Sequence, residues 1–214
     1  MLAYKAWRES RGRFAVALAA IAGLALVFVV AEATFRARMV AVGGPHTTYA
    51  GFVELRIFAG VVRAVYLLLA VVLGLGGFVR ERVHGTLGFT LALPVPRSHH
   101  AIARAGVGLA EVFGLALAPA VLVPLCSPLV GETYGWATAM AFVPSWLAIG
   151  ALVFALTLVI SIVVRNDYAA LAIAVVALRL AAHVVVLPAA AAFGIAVCAI
   201  AIAALLLAGE RSSP

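Results

Sequence analysis

The sequence predicts an all-α, polytopic integral membrane protein with six transmembrane helices, a short interfacial helix before the first, and a short cytoplasmic helix between the second and third. Three observations predict it. Of 214 residues, 66% are apolar and only 11% charged, with mean hydropathy +1.21. A soluble domain carries about 25% charge and could not hide this much apolar surface from water. The apolar residues run on without alternation for about 18 residues or more, the pattern of a spanning helix and not of a barrel strand. The cations gather beside these runs, as topology signals and headgroup partners do. So little charge leaves no material for a disordered tail or a sizeable globular domain, and residues 1–214 read as one transmembrane domain.

The elements follow in order. Residues 1–13 hold Tyr4, Trp7, Lys5, Arg8 and Arg11, an amphipathic segment suited to the headgroup layer. The first span is Phe14–Ala31. No small-residue cleavage site follows it and further spans do, so it reads as a retained helix and not a signal peptide. Residues 32–56 form the sizeable outer loop. The second span is Ile57–Val79. The third, Ala105–Val130, contains Pro119, Pro124 and Pro128 and is expected to be irregular toward its outer end. The fourth, Trp136–Val164, is long, and Pro144 interrupts it. The fifth and sixth, Tyr168–Leu187 and Ala189–Ala208, are joined through Pro188 as a tight hairpin, and Asp167 caps the fifth at its N-terminus.

Orientation follows from the cations. With the N-terminus inside, Lys5, Arg8, Arg11, Arg13, Arg80, Arg82, Arg97, Arg104, Arg165 and Arg211 are inner, whereas Arg36, Arg38 and Arg56 are outer. That asymmetry places both termini in the cytoplasm. The balance of 15 Lys+Arg against 8 Asp+Glu gives +7. Cations beside apolar runs point to anionic lipid and not to nucleic acid. Lys5 is the sole lysine, so the chain contains no Walker A sequence and is not itself a P-loop ATPase. Cys126 and Cys198 sit in apolar runs and read as small core residues.

Residues 80–104 are the most informative stretch. An apolar middle, Leu87 to Leu93, is too short to span and is closed by Pro94 and Pro96. Its alternation suits a strand as well as a helix, but a lone strand at a membrane surface leaves its backbone unpaired, which favours a surface helix capped by Thr86. Either lipid headgroups or a partner protein must cover it.

Glu81-x-x-x-Gly85-Thr86-Leu87, followed by Leu93-Pro94-Val95-Pro96-Arg97, resembles the motif that ABC-2 type transporter permeases carry between their second and third spans. Pro96 stands in place of the usual Ser, and Arg104 where Lys is frequent. Trp7-Arg8-Glu9-Ser10-Arg11 is similar to that family's N-terminal helix, and Ser161 to Asn166 to its junction between spans four and five. The resemblance implies an exporter-like permease subunit in a prokaryotic cytoplasmic membrane, paired with a second, identical or related permease. Two copies of a separate ABC ATP-binding subunit would supply ATP and Mg, with no cofactor in this chain. It further implies that Glu81, Gly85, Thr86, Leu87, Pro94 and Arg97 build the coupling helix that docks on the ATPase. The small outer loop argues against a large extracellular ligand-binding domain, and the substrate stays open among lipid-like, drug-like and other small molecules.

Ionisable groups inside spans are functional candidates. Arg63 lies in span two, roughly 10 Å from its outer end, and Arg179 in span five, roughly 13 Å from Pro188, at 1.5 Å per residue. His183 sits one turn from Arg179. These three read either as a site for an anionic group along a transport path, or as residues paired with Glu32, Glu54 or backbone carbonyls, or snorkelling to headgroups. Glu111, near the inner end of span three, reads either as an inner-gate residue or as a salt-bridge partner of Arg80, Arg82 or Arg104. His84, His99 and His100 lack the Cys or carboxylate neighbours that would complete a metal site.

Other function classes fare worse. H-E-x-x-H and G-x-S-x-G are absent, and Asp167 is the only aspartate, too few for aspartyl chemistry. A stand-alone channel or secondary transporter would need coupling residues at mid-depth, where only Arg179 qualifies well. A non-transporting scaffold on the same fold remains a third reading.

Overall fold

In the computed structural model the structure describes residues 2–41, 48–75 and 97–163. All regular structure among them is helical. Helix α1 runs Leu2–Val30 and α2 Glu32–Ala41. Helix α3, Tyr49–Val53, passes into a π-helical turn at Glu54–Phe58 and, after a bend at Ala59 and Gly60, into α4, Val61–Leu75. Helix α5 is Arg97–Cys126, followed by a 3₁₀ turn at Ser127–Val130; α6 is Trp136–Ala141 and α7 Val143–Val163. Among the described residues four stretches are long and apolar enough to cross a membrane: Tyr4–Val30, Tyr49–Leu75, Ile102–Val130 and Trp136–Ser161. The expected fifth and sixth spans lie outside the described residues, as do Gly85, Thr86, Leu87 and most of the 80–104 segment.

Several boundaries differ from those the sequence suggests. Residues 2–13 are the first turns of the same helix that forms span one. The 32–56 region is largely helical: α2 occupies its start, and span two begins at Tyr49, eight residues before Ile57. Glu54 and Arg56 imitate a loop in the sequence, yet both lie in the π turn. The irregularity expected toward the outer end of span three is there, confined to its last residues. Pro119 and Pro124 lie within continuous α5, and the helix yields only at Ser127 and Pro128. Gly131 closes that turn at φ 76°, left-handed backbone that glycine takes without a Cβ clash. In span four the break falls at Phe142. The nitrogen of Pro144 cannot donate to the Met140 carbonyl, so α6 stops and α7 starts afresh with proline at its second residue. Ser145 donates its hydroxyl proton to the Phe142 carbonyl at the break, at 2.9 Å.

The chain divides into two compact units. The first holds the start of α1 to Phe14, α4 from Leu67, α5 to Val112 and α7 from Ala148. Its packing depends on small residues. Gly74 lies against α7, where a Cβ would come within 2.9 Å of Thr157 Cβ and 3.0 Å of the Phe154 carbonyl oxygen, and Gly108 lies directly on the Phe154 ring. The buried hydroxyls of Thr157 and Ser161 donate to the carbonyls of Val153 and Leu158 on their own helix, both at 2.7 Å. Polar side chains thereby enter an apolar interior with their hydrogen bonds made.

The second unit holds Ala15–Tyr66 and Phe113–Leu147. Aromatic rings form much of its core. Phe58 stacks on Phe142 with centroids 4.4 Å apart, and Tyr66 lies 4.9 Å from Trp146. A second group joins Phe28, Phe35 and Phe52 at centroid distances of 5.4–6.5 Å.

Candidate functional site

Two polar groupings stand out among the described residues, one in each unit. In the first unit, Ala6, Ser10 and Arg13 share one face of α1, spaced at i, i+4 and i+7. Glu9 bridges Lys5 at 3.8 Å and Arg104 at 3.5 Å. Ser10 is buried, and its hydroxyl donates within its own helix to the Ala6 carbonyl at 3.1 Å. Glu111 on α5 is 3% exposed, with Ser10 and Arg13 as its polar neighbours, and its Oε1 makes no hydrogen bond among the described residues. Ser10, Arg13, Arg104, Gly108, Glu111 and Phe154 border a cavity of about 20 Å³, room for roughly one water molecule. Of the partners the sequence suggests for Glu111, Arg104 borders the same cavity and reaches Glu9, while Arg80 and Arg82 lie outside the described residues; Arg13 is a cation beside Glu111 that the sequence reading did not name.

In the second unit, the junction of α3 and α4 is the irregular element. Ala59 N–H donates to the Glu54 carbonyl five residues back, at 2.8 Å, and defines the π turn. Gly60 is required at the bend, because a Cβ there would collide with the Leu55 carbonyl oxygen. The bend leaves the Phe58 carbonyl to accept from Trp146 Nε1–H at 3.0 Å, and Tyr66 donates its hydroxyl proton to the Trp146 carbonyl, also at 3.0 Å. The two elements are locked by reciprocal bonds between a ring on one and a carbonyl on the other. Nearby, the Tyr49 and Ser127 hydroxyls lie 2.6 Å apart, and Ser127 also reaches the Val123 carbonyl at 2.6 Å.

Arg63 sits in the first turn of α4. With span two beginning at Tyr49, it is the fifteenth of 27 residues and lies nearer the middle of the span than the sequence suggests. It is half-buried, and its electrostatic neighbour among the described residues is Tyr66. Of the remaining sequence-predicted site residues, Arg97 is the first residue of α5, and His99 is exposed. Glu81, Gly85, Thr86, Leu87, Pro94, Arg179 and His183 lie outside the described residues, so Arg63 is not placed against Arg179 and His183.

Sequence reasoning missed the roles of Glu9, Ser10 and Arg13, which it read as part of a headgroup-facing segment or a topology signal. A signal was available. Buried Ser10 extends the stripe of Ala17, Ile21 and Ala25 by helical spacing, so polarity at positions 10 and 13 falls on the inward face. Three or more His, Cys, Asp or Glu able to hold a metal do not cluster among the described residues. No protein-family model, curated protein or solved structure matches the chain.

Proposed function

We propose that this chain is the permease subunit of an ATP-driven ABC-2 type transporter, with its N- and C-termini in the cytoplasm. One observation carries the reading: Glu81-x-x-x-Gly85-Thr86-Leu87 and Leu93-Pro94-Val95-Pro96 fall in sequence between α4 and α5, and Arg97 opens α5. Those helices belong to the second and third of the four stretches among the described residues that are long and apolar enough to cross a membrane. An apolar, proline-closed segment between two spans needs a cover, and an ATPase groove supplies one. The missing Walker A lysine supports the same division of labour, since energy must then come from another subunit. Glu81, Gly85, Thr86, Leu87, Pro94 and Arg97 form the coupling element in this reading. ATP and Mg bind the partner, and a second permease, identical or related, completes the path. The exported molecule in this reading is lipid-like, drug-like or another small molecule.

The test is purification of the tagged chain from its native membrane in mild detergent, with mass spectrometry of the proteins that accompany it. A stoichiometric P-loop ATPase is the expected result. A chain that repeatedly purifies alone, in a detergent that preserves such complexes, overturns the proposal in favour of a channel, a secondary transporter or a scaffold. Where the ATPase is captured, Glu81→Ala and Thr86→Ala are expected to leave membrane insertion intact and to weaken its retention or its stimulation.

A further inference from the structure

Resting on the permease reading, we infer that Arg63 binds the oxyanion headgroup, a phosphate or a carboxylate, of an anionic amphiphile on the inward face of span two. The first support is its depth. Fourteen residues follow Tyr49 before Arg63 is complete and twelve more reach Leu75, which at 1.5 Å per residue places it roughly 20 Å from either end. A guanidinium is costliest at that depth.

The second support is its face. Tyr66, Leu67, Ala70 and Gly74 follow Arg63 at i+3, i+4, i+7 and i+11, and all four are buried. The exposed residues Val61, Leu68 and Val72 lie on the opposite side of the helix. Arg63 therefore projects from the inward side of α4, and snorkelling along the lipid-facing side does not account for it.

The third support is the charge inventory. The chain has eight acidic residues. Glu9 pairs with Lys5 and Arg104, and Glu111 sits beside Ser10 and Arg13. Glu32, Glu54 and Glu132 make no ion pair with Arg63, whose electrostatic neighbour is the neutral phenol of Tyr66. Glu81, Asp167 and Glu210 belong to segments that the six-span reading places at span ends. Arg63 also occupies the first helical turn, where the helix dipole repels a cation. Depth, face and dipole all oppose a bare charge here, and an anion from outside the chain offsets all three. Membrane-depth surroundings require that anion to arrive on an apolar carrier or through a wet path.

Native mass spectrometry of the full chain in mild detergent tests this, with phosphatidylglycerol and phosphatidylcholine in competition. Wild type is expected to prefer phosphatidylglycerol by about tenfold, the scale of one charge-assisted hydrogen bond. Arg63→Gln is expected to bring the two lipids to parity, whereas Arg63→Lys and the control Arg56→Gln keep the preference. Added inorganic phosphate separates the sources: displacement of the lipid assigns a free oxyanion, and persistence assigns a lipid-borne headgroup. A wild-type chain that takes both lipids equally and is indifferent to phosphate overturns the inference without any variant. So does a monodisperse Arg63→Gln chain with the wild-type preference. Failure to capture an ATPase would overturn the permease reading and leave this lipid measurement standing, so the two fail separately.

Discussion

Tyr134, between α5 and α6, is 7% exposed, yet its hydroxyl has no hydrogen-bond partner among the described residues. Burial, and then the nearby Glu54 and Tyr49, push its phenol up to about 12. The folded protein thus holds this proton more tightly than an unfolded chain, whose tyrosine titrates near 10. Its contribution to stability is complete below about pH 10 and is lost as pH rises from about 10 to 12. A 295 nm titration of wild type minus Tyr134→Phe should show phenolate appearing near the upper end of that window. Because the hydroxyl makes no bond, its removal should cost nothing and stabilise by about 1 kcal/mol, an outcome read by thermal unfolding in detergent. Trp146 is the contrasting case, since its indole proton is given to the Phe58 carbonyl beside the bend. Trp146→Phe leaves that buried carbonyl unpaired, and we expect a loss of about 1–3 kcal/mol in the same measurement. A loss of the same size from Tyr134→Phe would refute the distinction between the made and the unmade bond.

At the scale of elements, close approach of helices in the first unit depends on residues without side chains. Gly108 meets the far end of the Phe154 ring, so Gly108→Ala must displace a ring in a packed interior, at a cost of about 1–3 kcal/mol. Adding Phe154→Leu should recover part of that loss, whereas two unrelated losses would simply add. Such contacts were not legible in the sequence, where 19 glycines make any small-residue pattern uninformative. The four long apolar stretches among the described residues were legible, because hydropathy over about 20 residues is a signal that tertiary packing does not override. By contrast, α2 lies in a segment that reads as an outer loop. Boundaries were legible where chemistry fixes them. Pro144 marks the break between α6 and α7, since a missing N–H acts on its own helix. The start of span two was hidden, because Glu54 and Arg56 read as loop charges while a π turn carries them within a helical stretch. The Glu9–Arg104 bridge joins residues 95 positions apart, and no local pattern announces it.

For the whole molecule, the distribution of cations along the chain predicts an orientation, although the helical framework moves Arg56 from the expected outer loop into span two. Ten of them flank the ends assigned to the cytoplasm, and α5 starts within one such group, at Arg97. Residues 131–135 lie at the other end of that span and contain no Lys or Arg. The insertion machinery reads this asymmetry over short connections, so the two ends of α5 should face opposite sides of the membrane. Cysteines placed singly at exposed His99 and exposed Thr133, with Cys126 and Cys198 changed to Ala, give a direct readout by impermeant maleimide on intact cells. Thr133→Cys should label at once, and His99→Cys only after permeabilisation. The reverse pattern would put the 80–104 segment outside the cell, beyond the reach of a cytoplasmic ATPase. The permease proposal would then fail through topology alone, whereas Arg63, roughly midway along its span, would keep its unfavourable depth in either orientation and its claim on an anion.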